Sequence, residues 1–318
     1  MLGADRARAR GRARARARRS GAVIERLADP AEARAWCAER RESGASVGFV
    51  PTMGALHIGH LSLVERAVAE NDFACVSVFV NPLQFDDPSD LECYPRDFEG
   101  DARLLEGVGC AMVFTGTLEQ FFPGELSADG ALASARLVDP GPAAEGLEGA
   151  CRSGHFGGVA TIVERLFEVV EPERAYFGRK DYQQALVIAD LARRRGGPRG
   201  IVCDIVRESS GLACSSRNAL LTDGERERAV CLSRSLETVD AAWREGARDA
   251  ALLGALLREN LERVGVEVEY AELRDPERWS AAAPLGELER AVALVAARVG
   301  GVRLIDNRVL GVGGDGRG

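Results

Sequence analysis

The 318 residues exceed one ordinary domain, so two are expected, with ample chain for a core. Apolar residues make up 46% and charged residues 28%, the balance of a soluble globular protein, and no apolar run approaches the ~18–20 residues of a membrane span. A net charge of −8 argues against nucleic acid as the main partner.

Residues 1–20 carry eight arginines and one aspartate, leaving 33 basic against 48 acidic side chains in the rest. This Arg-Ala tail lacks the apolar segment of a secretion signal. An Arg-rich, acid-poor leader would suit a transit peptide or a phosphate-binding arm. Its composition cannot form a core, so a disordered extension is expected.

Ala22–Leu27 is a short apolar segment suited to an edge strand. Asp29-Pro30 opens a helix running to Glu42, with Asp as N-cap and Pro at the first helical position. Val47–Val50 has the texture of a buried parallel strand closed by Pro51. Gly54 and Gly59 flank a tight turn, after which Leu61, Val64 and Val68 recur at helical spacing. His57 and His60 are therefore expected at or just before a helix N-terminus. Free N–H groups and the positive end of the helix dipole make such a place suit a phosphate.

Phe73–Val80 is a second strand, ending in the polar loop Asn81–Phe85. That is the sheet edge at which open α/β proteins bind ligands, and Gln84, between Leu83 and Phe85, is placed to contact one. Asp86–Arg96 reads as loop, Asp97–Glu106 as helix and Cys110–Phe114 as strand. Pro123–Gly154 is rich in Gly and Pro, with a strand expected at Ala135–Val138. Gly157–Val170 is an amphipathic helix following His155-Phe156, and Arg174–Phe177 is a strand. Gly178–Asp181 is a turn and Tyr182–Arg194 a helix, so Lys180 and Asp181 occupy a second strand-to-helix junction. Two such junctions on one sheet edge converge on one crevice.

Ile201–Val206 is the next strand, followed by the Ser/Arg loop Arg207–Asn218. Beyond it the texture changes to charged helices at Asp223–Arg244 and Arg248–Val264. Val266–Leu273, Ala291–Arg298 and Val302–Ile305 alternate like antiparallel strands. The expected organisation is the tail, 1–20, a Rossmann-like α/β domain, 21–205, and a smaller C-terminal α+β domain, 206–318.

The eight cysteines include no Cys-x-x-Cys pair and read as reduced thiols of a cytoplasmic protein, without a zinc site. Of 41 basic residues 40 are arginine, and the single lysine is Lys180. An ammonium is a compact point charge where a guanidinium is a planar fork, so this lysine is expected to do what arginine cannot. A phosphate-friendly His-x-Gly-His turn, a unique lysine beside Asp181 and a Ser-Ser-Arg loop suit nucleotidyl transfer at the α-phosphate of ATP. That chemistry needs positioned positive groups and Mg2+ more than covalent help. No P-loop and no Gly-x-Gly-x-x-Gly is present.

Six stretches in order resemble the pantothenate synthetase (pantoate–β-alanine ligase) family of His-x-Gly-His nucleotidyltransferases. They are Pro51–His60, Val78–Phe85, Tyr94–Arg96, Gly154–Val159, Phe177–Gln184 and Gly211–Asn218. The resemblance implies a Rossmann-like domain, a C-terminal lid and a homodimer. It implies attack of pantoate on ATP to give pantoyl adenylate and pyrophosphate, then attack of β-alanine to give pantothenate and AMP. By the same resemblance His57, His60, Lys180, Ser215, Ser216 and Arg217 hold the triphosphate and carry catalysis. Pro51, Thr52, Met53, Gly54, Gly178, Arg179, Asp181, Val206 and Cys214 complete the ATP site, with Gly178 and Asp181 at the ribose. Gln84, Gln184 and Met53 would hold pantoate, Gln84 also β-alanine, and Asp101 would be the metal-side carboxylate.

Arg179 stands where the family usually has Glu or Gln, Cys214 where it has Met or Leu, Ser210 where it has Asp and Ser153 where it has Pro. These departures remove no proposed catalytic group. A cytidylyltransferase or an aminoacyl-tRNA synthetase fragment would lack the Gln84 and Gln184 loops. A catalytically dead homologue would lack phosphate ligands that this chain retains.

Overall fold

The computed structural model describes residues 23–86 and 88–312, so the Arg-Ala tail lies outside the described residues. Strands β1 (Glu25–Leu27), β2 (Val47–Thr52), β3 (Phe73–Val78), β4 (Met112–Phe114), β5 (Arg174–Gly178) and β6 (Arg199–Cys203) form one parallel sheet. Its order is β1-β4-β3-β2-β5-β6. The helices are α1 (Pro30–Glu42), α2 (Ile58–Glu70), α3 (Pro88–Cys93), α4 (Phe98–Gly107), α5 (Leu118–Phe121), α6 (Leu147–Cys151), α7 (His155–Val170), α8 (Tyr182–Arg195), α9 (Asp223–Ala229), α10 (Cys231–Arg244) and α11 (Ala250–Glu262). A separate antiparallel sheet, β7-β8-β9, is made of β7 (Glu267–Arg274), β8 (Val292–Val299) and β9 (Val302–Val309). This is the expected α/β class with a smaller C-terminal α+β part.

Both faces of the parallel sheet are covered, which is why its strands read as continuous apolar runs. Phe49, Cys75, Phe114 and Phe177 pack with Trp36 of α1 and Val159, Ile162 and Leu166 of α7. Their neighbours Val50, Val76, Val113 and Tyr176 point the other way, against Leu63 and Val64 of α2 and Leu105 of α4. Burial of each such side chain contributes about 1.5–3 kcal/mol. The C-terminal sheet packs Val295 and Ala297 against Leu236 and Trp243 of α10 and Leu257 and Leu261 of α11. All eight cysteines are free. Among the described residues no helix is long and apolar enough to cross a membrane.

Several boundaries differ from the sequence expectation, each for a local reason. β2 continues through Pro51 to Thr52, paired with β3, while its pairing with β5 is at Gly48 and Phe49; the proline's missing N–H therefore costs no β5 ladder bond. Val80 and the stretch from Asp204 to Val206 are not strand: β3 ends at Val78 and β6 at Cys203, and Asp204 turns back to pair with Arg179 at 2.6 Å. Pro88–Cys93 is a short helix where loop was expected, and Leu118–Phe121 is a short helix in a stretch given no expectation. No strand forms at Ala135–Val138; Ser134–Arg136 is a 3-10 turn, and Val138 donates its N–H to Thr161 Oγ1 at 2.9 Å. The pattern Asp223–Arg244 splits into two helices at Val230, whose N–H bonds to Arg228 O. β9 runs four residues beyond Ile305, because Asp306, Asn307 and Arg308 satisfy polar partners inside the protein instead of facing water.

One close approach positions the ligand edge. A Cβ on Gly158 of α7 would lie 2.0 Å from Leu83 O and 2.8 Å from Gln84 N, both backbone atoms. Gly158→Ala is expected to cost roughly 1–3 kcal/mol by overpacking and to push the Gln84 segment away from α7. Thermal melts test this, and an unchanged melting temperature would show that the 82–84 turn moves freely.

Candidate active site

The chain leaves β2 toward β3 on one side of the sheet, and β5 has β6 on the other, so the sheet order reverses between β2 and β5. A crevice at such a switch point is the usual ligand site of an open α/β sheet. Here it is a cleft of about 240 Å³, lined from both sheets.

Its first wall is the turn after β2. Gly54 has φ +82 and Ala55 φ 51, a conformation strained for alanine. Asp101 of α4 holds that turn, accepting Ala55 N–H at 3.0 Å and Leu56 N–H at 2.8 Å. His57 then caps α2, its Nδ1 accepting Gly59 N–H at 3.1 Å, while His60 Nδ1 accepts His57 N–H at 3.4 Å. With both Nδ1 atoms used as acceptors, each neutral ring carries its proton on Nε2. Burial holds His57 down to about 4, with Lys180 adding to the effect and Asp181 opposing it. Burial and then His57 hold His60 down to about 3. The rings lie 4.1 Å apart as a pair of neutral donors at a helix start.

The second wall is the turn between β5 and α8. Lys180 Nζ lies 3.4 Å from Asp181 Oδ1. Burial raises the Asp181 carboxyl, but the charge and hydrogen bond of Lys180, with the fields of His60 and Arg217, together outweigh it and hold the group below its usual range. The third wall is the Ser/Arg loop. Cys214 N–H bonds to Val206 O, Ser215 Oγ accepts Arg217 N–H at 3.3 Å, and Arg217 pairs with Asp90 of α3 at 3.1 Å. The fourth is the Asn81–Phe85 turn. Asn81 Nδ2 donates to Gln84 Oε1 at 3.1 Å and to Gly158 O. Arg152 donates to His155 Nε2, so His155 Nδ1 donates to Gln84 O at 2.8 Å. Neutral imidazole donors, an ammonium and a guanidinium thus face one cleft, an arrangement suited to a polyphosphate.

A family model described as Pantoate-beta-alanine ligase matches residues 25–309. The chain belongs to the pantoate–β-alanine ligase family. It is 46% identical over 279 residues to the pantothenate synthetase of Rhodopirellula baltica, covering 87% of this chain and 95% of that one. It is 47% identical over 286 residues to that of Rubrobacter xylanophilus, covering 89% and 98%. The crystal structure of pantothenate synthetase from Thermus thermophilus superposes with a TM-score of 0.80 at 40% identity, covering 90% of this chain and 99% of that one. A pantoate-beta-alanine ligase from Francisella tularensis, complexed with Beta-gamma ATP and Beta-alanine, gives 0.71 at 31%, covering 90% and 97%.

In this ligase the cleft brings together Pro51, Thr52, Met53, His57, His60, Gln84, Gly178, Lys180, Asp181, Gln184, Val206, Cys214, Ser215, Ser216 and Arg217. Gly54, Arg179 and Asp101 lie outside its lining: Gly54 shapes the turn, Arg179 pairs with Asp204, and Asp101 is buried behind the turn it holds. The adjacent glutamines divide. Both border the cleft, but the Gln183 amide is spent on backbone, donating to the carbonyls of Ala143, Glu145 and Gly146 and accepting Glu148 N–H. Sequence reasoning gave no role to Arg152, Glu148, Arg303, Asp306 and Asn307, which also line the cleft. The available signal was the Asp-Asn pair inside an apolar strand.

The chain has three histidines, all in this cleft, and His155 too is held down to about 4, by burial and then by Arg152. Unfolded, each would bind a proton below about 6.5, so their contribution to stability is complete above that pH and is lost as pH falls toward 4. Proton NMR of the imidazoles should show no titration midpoint near 6.5. A histidine signal titrating there would contradict the assignment of three neutral rings.

Proposed function

We propose that the protein condenses pantoate with β-alanine through a pantoyl adenylate, releasing pyrophosphate and then AMP. The observation that carries this reading is the convergence of the His57–His60 helix start and the Lys180 turn on adjacent strands, facing the Ser215–Arg217 loop. The pantoate carboxylate attacks the ATP α-phosphorus, the bond to the bridging oxygen breaks, and pyrophosphate leaves. The β-alanine amine then attacks the acyl carbon, AMP leaves with the bonding pair, and the amine gives up a proton.

Charge accumulates on phosphate oxygens in the first step. The Nε2–H groups of His57 and His60, the Lys180 ammonium, the Ser215 and Ser216 hydroxyls and Arg217 stabilise it. Gly178 and Asp181 take the ribose, and Gln84, Gln184 and Met53 take pantoate, with Gln84 also serving β-alanine. The His155 and Arg152 bonds to Gln84 O orient that segment. Arg217, paired with Asp90 here, would exchange that carboxylate for a phosphate. Residues 206–318 act as the lid, tied to the parallel-sheet side by the ion pair of Arg303 with Glu148, while the pair of Arg207 with Asp306 lies within the lid.

Mg2+ would come with the nucleotide, since it is normally held by phosphates and one or two carboxylates. Among the described residues no group of three or more His, Cys, Asp or Glu forms a metal site of its own. The acceptors of Asp101 hold the 54–56 turn, and no step here runs through the ion. The family resemblance supports a homodimer, and eight free thiols support a reducing, cytoplasmic setting.

Single-turnover adenylate formation tests the reading. His57→Ala and His60→Ala should each slow it by roughly 10²–10³. Lys180→Arg should be nearly as damaging as Lys180→Ala, because a planar guanidinium cannot take the place of a compact ammonium, and a donor displaced by about 1 Å costs ~10²-fold. Melting curves control for folding. Retention of more than about half the wild-type rate by Lys180→Arg would remove the argument from the single lysine.

A further inference from the structure

The proposed chemistry leaves two adjacent buried polar residues of β9 without a role, Asp306 and Asn307. We infer that Asn307 is a positioning residue for Lys180, and that with Asp306 it fixes the separation between the Lys180 turn and the Ser215–Arg217 loop. Asn307 Nδ2 donates to Arg179 O and to Lys180 O, both at 2.9 Å. Two carbonyl acceptors settle the amide's orientation, since the reverse would set three oxygens together. Its Oδ1 is buried without a hydrogen-bond partner in the described structure, an arrangement that costs stability. What the amide contributes is therefore its two N–H bonds to the lysine turn.

Asp306 does the matching task for the other wall. Its carboxylate takes the Arg207 guanidinium in two bonds, of 2.7 and 3.0 Å, and also accepts Asn307 N–H at 2.8 Å. Arg207 pairs with Ala213 at the base of the Ser/Arg loop and donates to Gly211 O. One dipeptide on the C-terminal sheet thus holds the loops that carry Lys180 and Ser215–Arg217. Neither residue needs to touch the reacting atoms, because both act by setting where the cations sit.

The inference rests on the ligase reading, and the experiment separates the two. Asn307→Ala and Asn307→Ser are measured in single-turnover adenylate formation beside the wild type, alone and combined with Lys180→Ala. The expected result is a fall in rate on the order of 10²-fold for Asn307→Ala, with KM for ATP changed less than about threefold. Asn307→Ser, which keeps one donor, should recover part of the rate, and it carries the test if the alanine variant does not fold. In the Asn307→Ala background, Lys180→Ala should cost less than about tenfold more, since a misplaced ammonium has little left to lose. Additive losses, or an unimpaired rate, would overturn the positioning role. A wild type that forms no adenylate would defeat the ligase reading itself.

Discussion

The site depends on two helices that begin at the carboxyl ends of neighbouring strands. β2 and β5 lie side by side where the sheet order reverses, so the turns that follow them open on the same crevice. Each turn carries the groups a phosphate needs, and each is braced from behind. Asp101 braces the strained Gly54–Leu56 turn, and Asn307 braces Arg179 and Lys180. The capping bonds of α2 do more than end a helix. By taking up both Nδ1 atoms they set the histidine tautomers, and burial keeps the rings neutral. The result is a pair of oriented N–H donors whose charge does not depend on pH near neutrality, with fixed cations supplied by Lys180 and Arg217.

Most of the parallel sheet was legible because both its faces are buried, which leaves short apolar runs bounded by turn residues. The Asp29 cap with Pro30 marked α1 to the residue. What was not legible depended on tertiary partners. Ile205 and Val206 look like strand but are wall of the cleft. Asp306 and Asn307 interrupt the apolar alternation of β9, so the strand looked finished at Ile305. In the structure they are buried against Arg207 and the Lys180 turn, contacts made by residues about a hundred and more positions away. Periodicity cannot register such partners, whereas a buried Asp-Asn pair in a strand is a local sign that some exist.

The motifs named most of the residues that line the candidate cleft, and the structure explains how the departures are accommodated. Ser210, in place of the family's usual Asp, accepts Leu212 N–H at 3.3 Å and so supplies the same kind of turn bond. Cys214 is buried, with its Cβ 3.6 Å from where a Cβ on Gly59 would stand, and it packs against the histidine turn. Arg179 is turned away to Asp204. Nothing in the structure bears on Ser153. The Gln183-Gln184 pair could not be divided from sequence, because only the fold shows that the Gln183 amide is spent on closing the 143–146 loop.

The proposed attack of a carboxylate on the α-phosphorus of ATP would leave its record in the oxygen atoms, and following them is the most direct measurement. With pantoate labelled with ¹⁸O in both carboxylate positions, turnover with ATP and β-alanine should transfer one labelled oxygen to AMP and leave the other in pantothenate. Label in orthophosphate together with ADP, or label lost to water with AMP left unlabelled, would contradict the account.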